Sequence, residues 1–310
     1  MVISTQHSAI HCSMKPGSHI FSSARCWSAT IPRCVHVAIL FTWTDYKTIL
    51  LPVTTFACST APIHSLSDFL HTLVFIWFHL LLCNISNQAR SKDEDAINRP
   101  WRPLPSGLIT EAQAIWLRYA TALFCLLLSV QYGWELVLVT TALIATTWVY
   151  DEGGGSKTVI GKNLCNVGGY VAFEVGATRL MGVAHGLDTV SLAAICISGV
   201  LIFTTIQAQD FADVEGDAAS GRVTFPVYAP ELSRAFTLFA VIAWSMFLGW
   251  FWHLGPMVSA ALGLFGVYVG ARYYLCRTVE MDEVSYLIFN VWLMCANILP
   301  LHARTGLLGF

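Results

Sequence analysis

Three aspartates, Asp210, Asp213 and Asp217, recur at i, i+3 and i+7 inside the segment QDFADVEGDAASGRVTFP. That spacing predicts three carboxylates on one face of a helix. Gathered carboxylates repel one another unless positive charge lies between them. A hard divalent cation meets that need, and Mg²⁺ held by a few carboxylates typically takes phosphate oxygens from a substrate too. Read alone, the stretch is as readily a solvated loop. A second polar stretch, residues 87–107, favours the metal: Asn87, Ser91 and Glu94 stand at i, i+4 and i+7, with Asp95 beside them and Asp93 pointing elsewhere. Neutral Asn and Ser oxygens can ligate a hard cation while Glu and Asp supply charge.

Basic residues flank both stretches. Arg99 and Arg102 follow the first, Arg222 follows the second, and Lys157 and Lys162 lie between. A departing diphosphate needs its charge neutralised, and metal sites with Arg and Lys donors do that. The predicted metal ligands are therefore Asn87, Ser91, Glu94, Asp95, Asp210, Asp213 and Asp217. The predicted diphosphate ligands are Arg99, Arg102, Lys157, Lys162 and Arg222, with Asp95, Asp210 and Asp213 as the catalytic carboxylates. Each basic residue taken singly also fits a membrane-edge anchor. Aromatics such as Phe211, Phe289 and Trp292 can stabilise a carbocation in a dry site, although interfacial aromatics are routine in membranes. Gly153–Gly155 suits a phosphate-binding loop or a plain turn.

The elements that must position these groups are membrane helices. Charged residues are only 12% of the chain and hydrophobic ones 55%, with mean hydropathy +0.61, whereas a soluble domain carries roughly 25% charged residues. Net charge is −2 and there is no basic stripe for nucleic acid. None of the ten cysteines forms a C-x-x-C pair, which argues against zinc or a disulfide framework. The apolar runs predict an all-α, multi-pass protein with about nine spans: 47–62, 66–83, 115–132, 134–149, 168–183, 189–207, 232–253, 257–275 and 284–301. The fifth contains Glu174 and Arg179 and reads as amphipathic. Residues 1–41 read as a peripheral arm and 42–310 as the membrane domain. With the N-terminus cytosolic, nearly all loop Arg and Lys fall on the cytosolic side, and so do both acidic stretches. The expected location is the endoplasmic reticulum membrane, with the site facing the cytosol.

On these residues the sequence resembles the UbiA superfamily of intramembrane prenyltransferases. The resemblance implies nine helices around a central cavity and two Asp-rich motifs that bind Mg²⁺ and an isoprenyl diphosphate. Asp210, Asp213 and Asp217 match the second motif, followed by Gly221, Thr224 and Pro226. In the first motif Asn87 and Asp95 match, while Gln88 and Ser91 replace aspartates. That pattern, with Asn98-Arg99-Pro100-Trp101-Arg102-Pro103, Tyr150-Asp151-Glu152 and Lys162-Asn163, looks like the fungal branch of membrane-bound sesquiterpene cyclases. It implies Mg²⁺-assisted ionisation of a prenyl diphosphate, with farnesyl diphosphate as the expected substrate. The loss of two carboxylates implies a reshaped first metal site unless Glu94 compensates. A prenyltransferase using the same ionisation remains the alternative. A cation transporter fits less well, because the basic residues would repel its cargo.

Overall fold

The computed structural model describes residues 33–61, 63–182 and 186–310. The predicted arm lies outside the described residues as far as residue 32, as do the last residues predicted for the first and fifth spans. The chain divides into two units, Met1–Ile39 and Leu40–Phe310. Both polar stretches and every predicted span belong to the second.

All regular structure among the described residues is helical. Helix α1 (Arg33–Thr42) runs through a 3₁₀ turn (Trp43–Asp45) and a π-turn (Tyr46–Leu50) into α2 (Leu51–Thr60). Then come α3 (Leu66–Gln88), the short α4 (Lys92–Asn98), α5 (Glu111–Val130), α6 (Trp134–Asp151), α7 (Val159–Met181) and α8 (Thr189–Thr205). A 3₁₀ turn (Ile206–Gln209), the short α9 (Val214–Ala219) and α10 (Phe225–Tyr228) lead to α11 (Pro230–Phe251), α12 (Pro256–Leu275), α13 (Val279–Ile298) and α14 (Pro300–Thr305). Among the described residues, six segments are long and apolar enough to cross a membrane: Leu66–Gln88, Glu111–Val130, Thr189–Gln209, Pro230–Phe251, Pro256–Leu275 and Val279–Thr305. The chain is an integral membrane protein.

Local chemistry sets where the rods begin. Ser65, Thr158, Asp188 and Thr278 cap α3, α7, α8 and α13 by accepting from a backbone N–H three residues on. Thr110 and Gln113 form a reciprocal capping box on α5. Proline opens α11 and α12, where its missing N–H costs nothing. Lipid gives helices no hydrophobic reason to associate, so small residues and hydrogen bonds hold the bundle. On α12, a Cβ at Gly266 would collide with Ser245 Oγ and one at Gly270 would stand 2.8 Å from Leu238 Cδ1, so α11 and α12 meet backbone to backbone. His79 on α3 joins the Phe75 carbonyl oxygen at 2.7 Å to the Thr140 hydroxyl of α6 at 2.8 Å.

Two apolar clusters fill the bundle. One joins α2, α3, α6 and α7 through residues such as Phe75, Leu80, Leu143 and Phe173. The other joins α8, α11, α12 and α13 through Ile202, Val241, Phe289 and Trp292. The short helices α4 and α9 lie outside the six membrane segments and pack together at one end of the bundle.

Candidate active site

The three second-stretch aspartates do not share one helical face. The Ile206–Gln209 turn ends at Asp210, the chain bends, and α9 starts only after Asp213. Backbone bonds step along the break: Asp210 N–H to Gln207 at 3.0 Å, Asp213 N–H to Asp210 at 3.1 Å, Asp217 N–H to Asp213 at 2.9 Å. Between them Phe211 turns inward against Tyr273, 5.2 Å between ring centres, and that apolar anchor accounts for the break. The first stretch divides likewise. Helix α3 stops at Gln88 and α4 begins after Ser91, whose hydroxyl donates to the Asn87 carbonyl at 3.1 Å and to Asp95 Oδ2 at 3.3 Å. Asp93 is exposed, as the spacing predicts.

Broken this way, the carboxylates are partnered by four cations. Asp95 takes Arg102 Nη1 at 2.7 Å, Asp213 takes Arg99 Nη2 at 2.8 Å, and Asp210 binds Lys162 Nζ. Arg222 Nη1 donates to both Glu94 oxygens at 2.6 and 2.7 Å and stands 3.6 Å from Asp217 Oδ1. The pairs Arg99–Asp213 and Arg222–Glu94 cross from one stretch to the other, so the two stretches form one layer. Asn98 Nδ2 adds a bond to the Asp213 carbonyl at 3.4 Å, with Gly216 so close to its side chain that a Cβ there would collide with Nδ2. Asn87 donates to Asp151 Oδ1 at 3.2 Å. Lys157 is the predicted ligand left out. It is exposed, and among the described residues no carboxylate lies within salt-bridge reach of it. Its carbonyl accepts from Val223 N–H at 3.2 Å.

Several residues here received no role from the sequence. The Tyr150 hydroxyl accepts from Arg222 Nη2 at 2.7 Å, and Asp151 accepts from Ser86 at 2.5 Å as well as from Asn87. The Tyr150-Asp151-Glu152 turn was their only sequence signal. Lys47, on the π-turn, lies over the Tyr286 ring with Nζ 5.1 Å from its centre; no motif marks it. An aromatic column descends from the layer: Phe211, Tyr273, Phe289 and Trp292, with neighbouring ring centres 5.2, 6.5 and 5.5 Å apart. Trp148, Trp250 and Tyr268 instead point outward and are exposed.

Burial sets the electrostatics. It pushes the Asp210 carboxyl up to about 6 despite Lys162, and raises Asp95 and Asp217 against the pull of their arginines and, for Asp217, Lys162. It opposes the charge on Arg99, but Asp213 outweighs it and the guanidinium stays firmly protonated. The carboxylates are thus under-compensated as they stand. Asp217 Oδ2 is buried without any hydrogen-bond partner. Hard oxygen donors, raised carboxyls and an orphaned carboxylate oxygen fit a divalent cation such as Mg²⁺. Among the described residues no three His, Cys, Asp or Glu side chains converge on one ready-made point, because the basic side chains hold them apart.

Residues 49–294 match the UbiA prenyltransferase family. The chain is 34% identical over 242 residues to the fumagillin beta-trans-bergamotene synthase of Aspergillus fumigatus, covering 74% of this chain and 80% of that protein. It is 27% identical over 283 residues to a polyprenyl transferase of Hericium erinaceus, covering 86% and 94%. Its fold is similar to that of a UbiA homologue from Archaeoglobus fulgidus solved with DMAPP and Mg²⁺, at a TM-score of 0.65 and 15% identity over 86% of this chain and 98% of that one. The match runs from the π-turn before α2 into α13 and takes in every residue of the charged layer. With enzymes of both kinds, cyclase and transferase, among its relatives, the chain belongs to the UbiA prenyltransferase family.

Proposed function

We propose that this protein is a membrane-bound terpene cyclase that ionises a prenyl diphosphate, farnesyl diphosphate in the first instance, and lets the resulting cation cyclise on its own double bonds. The observation that carries this reading is the single layer in which Arg99, Arg102, Lys162 and Arg222 interleave with Asp95, Asp213, Asp210 and Glu94 above an aromatic column. The similarity to a bergamotene synthase supports cyclisation, and the similarity to a polyprenyl transferase supports the second reading, transfer to an acceptor.

In this reading Asn87, Ser91, Glu94, Asp95, Asp210, Asp213 and Asp217 would hold Mg²⁺, with Asp95, Asp210 and Asp213 as the catalytic carboxylates. When bound, Mg²⁺ supplies neutralisation of charge on the departing diphosphate. Arg99, Arg102, Lys162 and Arg222 exchange their carboxylate partners for phosphate oxygens, joined by Lys157 from the layer's edge. The allylic C–O bond breaks, diphosphate leaves with the electron pair, and the cation is held against the faces of Phe211, Tyr273 and Phe289. Burial keeps water from quenching it early. Residues 42–310 would form a nine-span domain around this site, with 1–41 as an arm. The layer would face the cytosol from the endoplasmic reticulum membrane.

The test uses membranes containing the protein, given farnesyl diphosphate and Mg²⁺ without an acceptor. A hydrocarbon should form, and Asp213→Ala should lower its yield by about 100-fold or more, the scale on which charge-stabilising groups act. A fully active Asp213→Ala protein would sink the metal assignment. Product only after an aromatic acceptor is added would move the protein to the transferases.

A further inference from the structure

Asp151, the last residue of α6, meets the first polar stretch from a separate helix. Three consecutive residues at that helix end take different partners. Tyr150 accepts from Arg222, and Glu152 is shared by Arg90 and Arg118. Asp151, between them, has no cationic side chain within salt-bridge reach among the described residues, and Arg118 and Arg222 act on it only from farther away. Two neutral donors from the last turn of α3 hold its carboxylate instead. Ser86 Oγ donates to Oδ2 at 2.5 Å and Asn87 Nδ2 to Oδ1 at 3.2 Å. A carboxylate at a helix C-terminus stands at the negative end of the helix dipole. Asp151 is half-buried besides, which adds to the cost of its charge.

The local effect of this carboxylate is on one amide. An ionised carboxylate accepts and does not donate, so it fixes which end of the Asn87 side chain faces it. The Nδ2 end is turned to Asp151, and no donor among the described residues reaches Oδ1. The backbone of Asn87 is fixed as well. Its carbonyl accepts from Arg90 N–H at 2.9 Å, and from the N–H and hydroxyl of Ser91 at 3.0 and 3.1 Å. Asn87 Oδ1 is thus the free oxygen of a half-buried amide, on the same stretch as Ser91 and Asp95.

We propose that Asp151 is a positioning residue for the first metal site: by holding Nδ2 of Asn87 it presents Oδ1 to Mg²⁺. This rests on the reading that Asn87 and the two acidic stretches hold Mg²⁺ for a prenyl diphosphate. Asp151 acts through Asn87 and is not itself a ligand. An aspartate offers a cation an oxygen from either end of its carboxylate, whereas an asparagine offers one from a single end and an NH₂, which repels the ion, from the other. Gln88 and Ser91 stand where the family pattern has aspartates, so neutral oxygens carry more of this site. Their orientation then decides how well it binds, and a partner that fixes orientation raises affinity without touching the ion.

The experiment titrates Mg²⁺ into purified, metal-free protein and reads the rise in melting temperature, which needs no turnover. The Mg²⁺ required for half-maximal diphosphate release is measured beside it. Asp151→Ala and Asp151→Leu both remove the acceptor, Leu at nearly the original size should Ala disturb folding. Each should raise the half-saturating Mg²⁺ about 10- to 100-fold, the usual scale for losing a group that orients a metal ligand. Asp151→Asn should stay within about threefold of wild type, since its amide oxygen still accepts from Asn87 and its NH₂ can donate to Ser86. Asn87→Ala should show a loss of similar size to Asp151→Ala, and combining the two should add little, because the second acts through the first. An unchanged Mg²⁺ titration in Asp151→Ala and Asp151→Leu overturns the proposal. A full loss in Asp151→Asn also overturns it, by assigning the effect to charge, and so do additive losses in the double variant, which would make Asp151 a ligand in its own right. A wild type that neither responds to Mg²⁺ nor releases diphosphate from any prenyl substrate would instead bring down the functional reading, and this inference with it.

Discussion

Ser91 is the residue at which the first stretch differs most usefully from a run of carboxylates. Its hydroxyl lies 3.3 Å from Asp95 Oδ2, and Asp95 is buried and paired with Arg102. An aspartate there would set like charges at i, i+4, costing ~1 kcal/mol in so buried a place. The metal-free Ser91→Asp protein should melt a few degrees lower, and Mg²⁺ should raise its melting temperature more than the wild type's. Half-maximal diphosphate release should need less Mg²⁺. An unchanged metal titration would remove Ser91 from the site. Residue types and spacing were legible in the sequence, but partners were not. Lys162 and Asp210 are 48 positions apart, and Arg222 and Glu94 128 apart. Periodicity within a stretch carries no information about such pairs. Glu94 illustrates the gap: its spacing suggested a replacement metal ligand but gave no sign of Arg222 and Ser220, the partners of its oxygens in the metal-free protein.

At the scale of elements, the site depends on two short helices whose existence the sequence hid. Spacings of i, i+4 and i+7 in the first stretch and i, i+3 and i+7 in the second suggested continuous helices, whereas α4 and α9 are separate pieces. The long rods were easier to read, since a run of apolar residues in lipid has little alternative to a helix. Gly216 is where α4 and α9 meet, with no room for a Cβ beside the Asn98 side chain. Gly216→Ala should drive Asn98 off the Asp213 carbonyl, displace Arg99 next to it, and lower diphosphate release by about tenfold or more. The melting temperature should shift by only a few degrees, because the long rods pack elsewhere. Adding Asn98→Ala should recover part of the loss by making room, a coupling that a mutant cycle measures. Additive losses would show that the contact does not set the site's geometry. The far end of the bundle has its own clasp: Arg304 binds Asp188, the cap of α8, at 2.9 Å and also holds the carbonyl of Thr60 on α2.

For the whole molecule the question is which helices cross. Helices α6 and α7 fall outside the six apolar segments, α7 carrying Lys162, Glu174 and Arg179. Yet α6 ends at Asp151, beside Asn87, and α7 has Lys162 near its start, beside Asp210. Both therefore run from the charged layer to the opposite end, as α5 and α8 do, over 18 and 23 residues. In α7 the charges have partners within the bundle: Glu174 is buried and bonded to Ser198, and Arg179 pairs with Glu135 of α6. Hydropathy penalises them because it cannot see those partners. If both helices cross, residues 93, 157 and 215 lie on one side and residues 64 and 131 on the other. The check is labelling of Asp93→Cys, Lys157→Cys, Glu215→Cys, His64→Cys and Gln131→Cys in sealed microsomes, with exposed Cys34 and Cys196 changed to Ser. An impermeant maleimide should reach the first three directly, and the other two only after permeabilisation. The reverse pattern would overturn the cytosolic orientation. Lys157→Cys labelling with His64→Cys and Gln131→Cys would instead show that α6 and α7 do not reach the cytosolic face.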